Sequence, residues 1–349
     1  MTGSSTRALW QSHLFAVGML IVPLAVAAVL VATFGGIVLQ RIFIVMLTNL
    51  ILVVGLQLFS GNSGLLSFGH VAFVGIAAYG SILFSMTPQA KSLALRQLYP
   101  VLQNVHLPFL PSLLIGAAIA TLLAAVVGFP LMRLSGAAAV IATLSLLVIA
   151  HTVFINWEEV TNGARTLFGV QQYTTLWNAL AWALFFVLVA YWFKETATGL
   201  KLRASREEER AAAVMGVNIV RVRWVAWILS AFIVGVGGVL YAHFITSFSP
   251  VAFYLSQTFI IIAMLIIGGS GSVAGAVVGV VVVTLLTESL RAVENSVNMS
   301  QAVPFTVSGL SEMFVALAMI LILIYRPAGI MRGREFVWPL WRARKEGDS

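Results

Sequence analysis

Ten stretches of this chain carry little or no charge and are each about as long as a bilayer is thick: residues 14–39, 42–59, 64–86, 109–132, 134–155, 176–193, 224–247, 254–268, 272–287 and 309–325. A soluble domain of 349 residues cannot hide ten such runs in one core, and it would carry about a quarter charged residues to cover its surface. Here charged residues make up 9% and hydrophobic ones 60%, with a mean hydropathy of +1.01. A spanning helix needs about 20 apolar residues, within a range of about 17–25. The apolar period is helical or absent rather than alternating, which excludes the short alternating strands of a membrane barrel. The expected fold is an all-α, polytopic transmembrane helix bundle of about eight to ten spans, formed by residues 1–349 as one unit. The runs beginning at 64, 254 and 272 are the short ones, candidates for broken or re-entrant helices.

At the start of the third run and just before it, glycines at 61, 64, 69, 75 and 80 surround a histidine in largely apolar sequence. Glycine costs about 1 kcal/mol relative to alanine in a helix interior. Its repeated use at membrane depth implies close helix contact or an interrupted helix lining a polar path. Gly61, Asn62, Ser63, Gly64, Ser67, Gly69 and His70 are therefore the candidate translocation path. His70 lines that path or bonds a carbonyl freed by a helix break. A second glycine run, Gly268 to Gly279, answers the first in the C-terminal half, and paired interruptions in two halves point to a path near mid-membrane. Gly271, Gly275 and Gly279 form a GxxxGxxxG face whose plainer role is tight helix packing. His151 and His243 have no neighbouring metal or relay pattern and read as interior or interfacial groups.

The cations give an orientation, because positively charged loops are retained on the cytoplasmic side. With ten crossings and a cytoplasmic N-terminus, 15 of the 20 lysines and arginines fall inside: Arg7, Arg133, seven from Lys194 to Arg223 and six from Arg326 to Lys345. Outside, Arg41, Lys91, Arg96, Arg165 and Arg291 balance Glu158, Glu159, Glu288, Glu294 and Glu312. The whole net charge of +8 then lies inside. Both termini are expected in the cytoplasm, including a basic tail over 326–349. The cations sit at membrane ends without interleaved aromatics, so anionic lipid headgroups of the bilayer are expected partners and nucleic acid is not. The N-terminal run is too long for a signal-peptide core and is read as a retained span.

Between the sixth and seventh runs lies the one densely charged excursion, residues 194–223. Its interior predicts a short helix. Ser205 is a candidate N-cap with Glu208 three residues on, Glu207 and Glu209 place negative charge near the positive end of the dipole, and Gly216 supplies a left-handed stop. Ala211, Val214 and Met215 share one face, a stripe too small for a core but suited to docking in a groove of another protein. The competing reading is an interfacial helix lying on the inner leaflet.

No catalytic or cofactor chemistry is legible. The chain has no cysteine, hence no disulfide, thiolate metal site or cysteine nucleophile. It has no Gly-x-x-x-x-Gly-Lys-[Ser/Thr] phosphate loop, so any nucleotide hydrolysis belongs to another chain. Ser67 and His70, three residues apart, raise an intramembrane hydrolase, but spacing alone establishes neither base geometry nor oxyanion donors. An ion-coupled secondary transporter would place carboxylates at membrane depth, whereas Glu288 and Glu312 fall near span ends.

The order of motifs narrows this further. Gly61-x-x-Gly64-Leu-Leu-Ser67-x-Gly69-His70-x-x-Phe73-x-Gly75-x-x-Ala78-Tyr79 resembles the signature of permease subunits of branched-chain amino-acid ABC importers. Glu209-Arg210-Ala211-Ala212-Ala-Val-Met215-Gly216, followed by Ser230 to Tyr241, resembles their cytoplasmic coupling segment. Val160-Thr161-Asn162-Gly163 and Arg326-Pro327-x-Gly329-Ile330 extend the match in the same order. The resemblance implies a non-enzymatic subunit in the inner membrane of a prokaryote, moving branched-chain amino acids, or alternatively urea or short amides. It also implies pairing with a second, usually paralogous, permease, two cytoplasmic ATPases that bind ATP and Mg, and an extracytoplasmic solute-binding protein. The chain itself would bind no cofactor and no metal. Ser205, Glu208, Glu209, Arg210, Ala211, Ala212, Met215 and Gly216 would carry ATPase coupling, and Glu158 and Glu159 would dock the binding protein. The general ABC-importer pattern has Glu-Ala-Ala, three residues, Gly; here Arg210 occupies the Glu position, while Ala211, Ala212 and Gly216 keep the core.

Overall fold

The computed structural model describes residues 3–300, 309–326 and 328–335; the last stretch of the basic tail, 336–349, lies outside the described residues. It is an all-helical bundle with no named strand among those residues. Eight helices are long and apolar enough to cross a membrane. They are α1 (Gly3–Phe34), α2 (Ile37–Leu56, continued by a π-helical turn at Gln57–Gly61), α6 (Phe109–Leu131), α7 (Gly136–Asn156), α9 (Leu176–Glu195), α12 (Ile219–Ile245), α13 (Leu255–Gly268) led in by a 3-10 turn at Pro250–Phe253, and α14 (Val273–Ser300). Two further apolar helices are shorter, α3 (His70–Ser85) and α15 (Leu310–Tyr325). The ten apolar runs thus become ten helices. The run at 254 is short as expected, with 14 residues in α13 itself; the run beginning at 272 is not a half-helix, since α14 has 28 residues, and the run at 309 is short in its place, with 16.

The remaining helices are connectors. α4 (Pro88–Ala94) and α5 (Pro100–Gln103) lie between α3 and α6, α8 (Glu158–Thr161) follows α7, and α10 (Ala197–Glu207) and α11 (Glu209–Val214) join α9 to α12. The connections fall at two opposite ends. At one end the segment after α2, the α9–α12 connection, the α13–α14 turn and the segment after α15 touch one another. At the other, the α3–α6 and α7–α9 connections meet the segment after α12, with Leu167 bridged to Phe248 and Trp157 Nε1 bonded to Tyr99 Oη at 3.5 Å.

α12 is the centre of the bundle and packs on α2, α3 and α6. Lipid tails are as apolar as leucine, so helices here gain little from burial alone and associate through close van der Waals contact. Small residues supply that contact. A side chain at Gly238 would run into the backbone of Val74 on α3, and one at Gly116 on α6 into the backbone at Ala77. Trp227 then fills the space beside Gly128, its indole N–H donating to Ala124 O at 3.1 Å. α1 and α7 instead turn large apolar side chains outward, such as Val22, Val26, Ile141 and Ile149, as lipid-facing helices do.

Candidate functional site

The first glycine cluster is an interrupted helix. α2 widens into a π turn at Gln57–Gly61, a deviation that recurs at functional positions. Gly64 takes φ +74°, after which the chain runs without helix to Gly69 before α3 starts at His70. With 16 residues, α3 is only about 24 Å long. The lead-in is held against α7, where Phe68 N donates to Thr143 Oγ1 at 3.3 Å and Gly69 abuts the Thr143 carbonyl. Gly61 and Gly64 do not sit at mid-bundle. Arg206 of α10 donates to the Gly61 carbonyl, and its stem lies over Gly64. The break therefore begins at the end of the bundle that carries the α9–α12 connection and climbs inward toward His70.

Polar atoms collect along it. Gln57, fully buried, has neither amide atom bonded, and Ser60 Oγ, Asn62 Oδ1 and His70 Nε2 also lack protein partners. Leaving a buried polar group unpaired costs about 1–3 kcal/mol, so such a row is expensive to keep unless something passing along it supplies the bonds. Asn62 Nδ2 donates to Leu58 O at 2.8 Å, and Leu65 N bonds Ser63 Oγ at 3.2 Å. His70 Nδ1 and Ser67 Oγ are 2.8 Å apart, with the ring packed among Phe59, Phe73 and Trp227. Both residues border a cleft of about 10 Å³ against α2, α12 and α13, room for about one water. The Ser67–His70 contact has the reach of a nucleophile–base pair, yet among the described residues no third group orients the ring, and the cleft beside it is water-sized in this conformation.

The second glycine run is a helix crossing. Gly268 at the end of α13 meets Gly275 and Gly279 of α14 so closely that a side chain at any of the three would strike opposing backbone. Gly271 is not part of that face. It lies in the turn before α14, against Gly333, so Gly268 takes the place the spacing assigned to it.

The α9–α12 connection differs from its sequence reading in one respect. Ser205 is not an N-cap: it lies in the last turns of α10, fully buried, and donates to Leu202 O at 2.7 Å. Thr196 caps α10, accepting from Gly199 N at 3.1 Å. Glu207 therefore sits at the C-terminal end of a helix, not its positive end. Glu208, in extended backbone, breaks the segment and is itself the N-cap of α11, accepting from Arg210 N at 3.3 Å. Gly216 has φ +80° and closes α11 with a Schellman pair, Val217 N to Ala212 O at 3.1 Å and Gly216 N to Ala213 O at 3.0 Å. Glu209 pairs with Arg223 of α12, and Ala212 is buried against the bundle. Arg210 and Ala211 are exposed, and Val214 and Met215 stand 88% and 83% exposed. α11 is thus a short rod fixed along one side and apolar on the other.

One half-buried carboxylate was not read from the sequence. Glu335, in the segment after α15, accepts from Val273 N at 2.9 Å and Ala274 N at 3.0 Å, capping α14, and pairs with buried Lys194 at the end of α9 at 2.8 Å. The same segment donates from Ile330 N to Ile267 O and from Met331 N to Gly268 O, each at 3.0 Å. Arg203 donates to Lys194 O at 3.1 Å. The root of the α9–α12 connection is thereby tied to the α13–α14 turn. An acid directly beside Arg334 in the basic segment that follows Arg326 was the available signal.

At the opposite end, Glu158 opens α8 and Glu159 follows it, half-buried. Thr161 fixes this corner by donating to the Phe154 and Trp157 carbonyls at 2.6 and 2.7 Å, and Asn162 takes φ 65°. Lys91, 1% exposed, donates to the Leu102 and Val105 carbonyls and pins the neighbouring α4–α6 connection; burial pushes its ammonium below the ordinary lysine value. His243 joins this end to the core, 3.0 Å from Ser81 Oγ and from Gln171 O, and His151 stacks on Tyr254. Among the described residues no cluster of histidine and acidic side chains could hold a metal.

A family model described as "Branched-chain amino acid transport system / permease component" matches residues 38–324. The chain is 29% identical over 165 residues to the probable branched-chain amino acid transport permease protein LivM of Methanocaldococcus jannaschii, covering 46% of this chain and 48% of that one. It is 25% identical over 316 residues to the high-affinity branched-chain amino acid transport system permease protein LivM of Escherichia coli, covering 81% and 67%. A shorter match, 37% over 82 residues and 24% of this chain, is to the nucleoside ABC transporter permease protein NupC of Lactococcus lactis. The chain thus spans about half the length of the first relative and two thirds of the second. No solved structure matches.

Proposed function

The chain belongs to the family of branched-chain amino acid transport permeases, and from that premise we propose that this multi-pass membrane protein is the translocating subunit of an ATP-driven importer of branched-chain amino acids in a prokaryotic inner membrane. The observation that carries the coupling half of this reading is α11, whose Val214 and Met215 project while its other side is fixed to α12. Such a knob suits a groove on a motor protein. α10 and Lys194 link it to the first helix break through Arg206–Gly61 and to the α13–α14 turn through Lys194–Glu335, so force on α11 reaches the segment whose polar atoms lack partners.

In this mechanism the subunit performs no bond chemistry. A solute-binding protein docks at the Glu158 and Glu159 end and releases solute. ATP and Mg bind at two separate ATPases, whose closure moves α11; a companion permease, most simply a paralogue, completes the path. Solute then passes the row from His70 to Gln57, where its polar groups bond the unpaired amide, hydroxyl and imidazole atoms, and the path reverses exposure. The Lactococcus relative makes nucleosides the second solute class to assay; urea and short amides are the third. The test is uptake in proteoliposomes holding the complex purified from its host. Tritiated leucine should enter only with internal ATP, and V214S/M215S should lower uptake at least tenfold while the chain stays folded. Leucine uptake without ATP, or full uptake by the variant, sinks the coupling reading; ATP-driven uptake of uridine but not leucine replaces the solute.

A further inference from the structure

The cleft at the Glu158 end has a polarity that docking of a partner does not explain. It encloses about 440 Å³ between the α4–α5 connection and the corner after α7, and its lining includes Arg96, Arg165, Glu158, Leu93 and Phe168. Binding sites for small molecules fall in a range of about 300–1,000 Å³. All three charged side chains are exposed, and none makes an ion pair among the described residues. Two guanidiniums and one carboxylate held unpaired around one hollow, instead of neutralising one another, leave donors and an acceptor free for a ligand. Leu93 and Phe168, 64% and 51% exposed, add an apolar wall.

The walls are also fixed in advance, which lowers the ordering cost of binding. Buried Lys91 holds one side through the Leu102 and Val105 carbonyls. Thr161, 1% exposed, holds the other, and Asn162 Nδ2 donates to Thr166 O at 3.2 Å across the turn that presents Arg165. The Leu167–Phe248 bridge fastens that turn to the bundle.

We infer that this cleft binds the free zwitterion of a hydrophobic amino acid, its carboxylate on Arg96 and Arg165, its ammonium on Glu158 and its side chain against Leu93 and Phe168. A guanidinium matches a carboxylate in a planar two-bond fork, a geometry an ammonium cannot replace. A second cation in the lining gives the cleft a net positive charge, so a bare amine is repelled, while a bare carboxylate leaves Glu158 without a partner and forgoes the ammonium contact. The complete zwitterion satisfies all three groups. The inference rests on the import reading and deepens it: the cleft is a waiting site on the permease, where solute is held between its release and its entry to the path.

The experiment measures tritiated L-leucine binding to the purified permease–ATPase complex in detergent with no binding protein added, competed by leucinamide, which lacks the carboxylate, and by 4-methylpentanoate, which lacks the ammonium. Leucine should bind saturably in the millimolar range or tighter, and both competitors should be at least tenfold weaker. R96A/R165A should weaken leucine at least tenfold and erase its advantage over leucinamide; E158Q should erase its advantage over 4-methylpentanoate. These residues are exposed, so the variants keep the fold, checked by gel filtration. No saturable binding to the unaltered complex, or leucine binding that the variants leave unchanged, overturns the inference. If ATP-driven uptake persists in that case, the import reading stands without the cleft. If uptake is absent while the cleft still selects leucine, the import reading alone has failed.

Discussion

At the residue scale, Glu335 concentrates the most consequence in one side chain. Its carboxylate caps two amides of α14 and neutralises Lys194, whose side chain is 7% exposed. Removing one partner of a buried pair leaves the other charge uncompensated, at a cost of about 3–5 kcal/mol. E335Q keeps one acceptor for the α14 amides but strands the lysine, so it should lower the thermal unfolding midpoint clearly, and K194M/E335Q should recover part of the loss. An unchanged midpoint in E335Q would show the pair to be dispensable. Gly216 is a different kind of constraint, set by its φ of +80°. A β-branched residue there is strained by about 1–2 kcal/mol, whereas asparagine tolerates the left-handed region. G216V should therefore lose copurifying ATPase and G216N should keep it; equal retention would place no demand on the turn. Aspartate at Ala212, buried against the bundle, should lower ATPase retention as well.

At the element scale, the same residue type does opposite work in the two glycine runs. Gly268, Gly275 and Gly279 let α13 and α14 touch through backbone, a packing role their spacing made legible except that Gly271 belongs to the turn. G279L should overpack that crossing by about 1–3 kcal/mol and lower the unfolding midpoint in detergent; a midpoint within a degree of the original would remove the crossing from the account. Gly61 to Gly69 instead break a helix, with Gly64 at φ +74° and a π turn before it. The α9–α12 connection shows where local rules mislead. Ser205 and Glu208 have the spacing of a capping box, but Thr196 starts α10 earlier, so Ser205 falls inside the helix and turns its hydroxyl to Leu202. Which of two competing caps wins depends on where the preceding span ends.

At the scale of the whole molecule, α11 and the Arg165 corner lie at opposite ends of the bundle, and the orientation expected from the distribution of cations would put α11 in the cytoplasm. The absence of cysteine makes this directly testable, because any cysteine introduced is the only one. In intact cells a membrane-impermeant maleimide should label R165C and leave M215C untouched, with M215C labelled only after lysis. Labelling of both, or the reverse pattern, would refute the orientation.

Composition and the ten apolar runs determined the membrane and the helical class by themselves and bounded the spans at about eight to ten, since a bilayer offers the backbone no other hydrogen-bond partners and demands a fixed length. The order of short motifs was enough to identify the family. Tertiary structure alone decided the rest. The Lys194–Glu335 tie joins residues 141 apart, Arg206 and Gly61 are 145 apart, and the cleft draws on two connections separated by two spanning helices. No periodicity or local spacing encodes such pairings, because they exist only once helices distant in sequence have packed and brought their ends together.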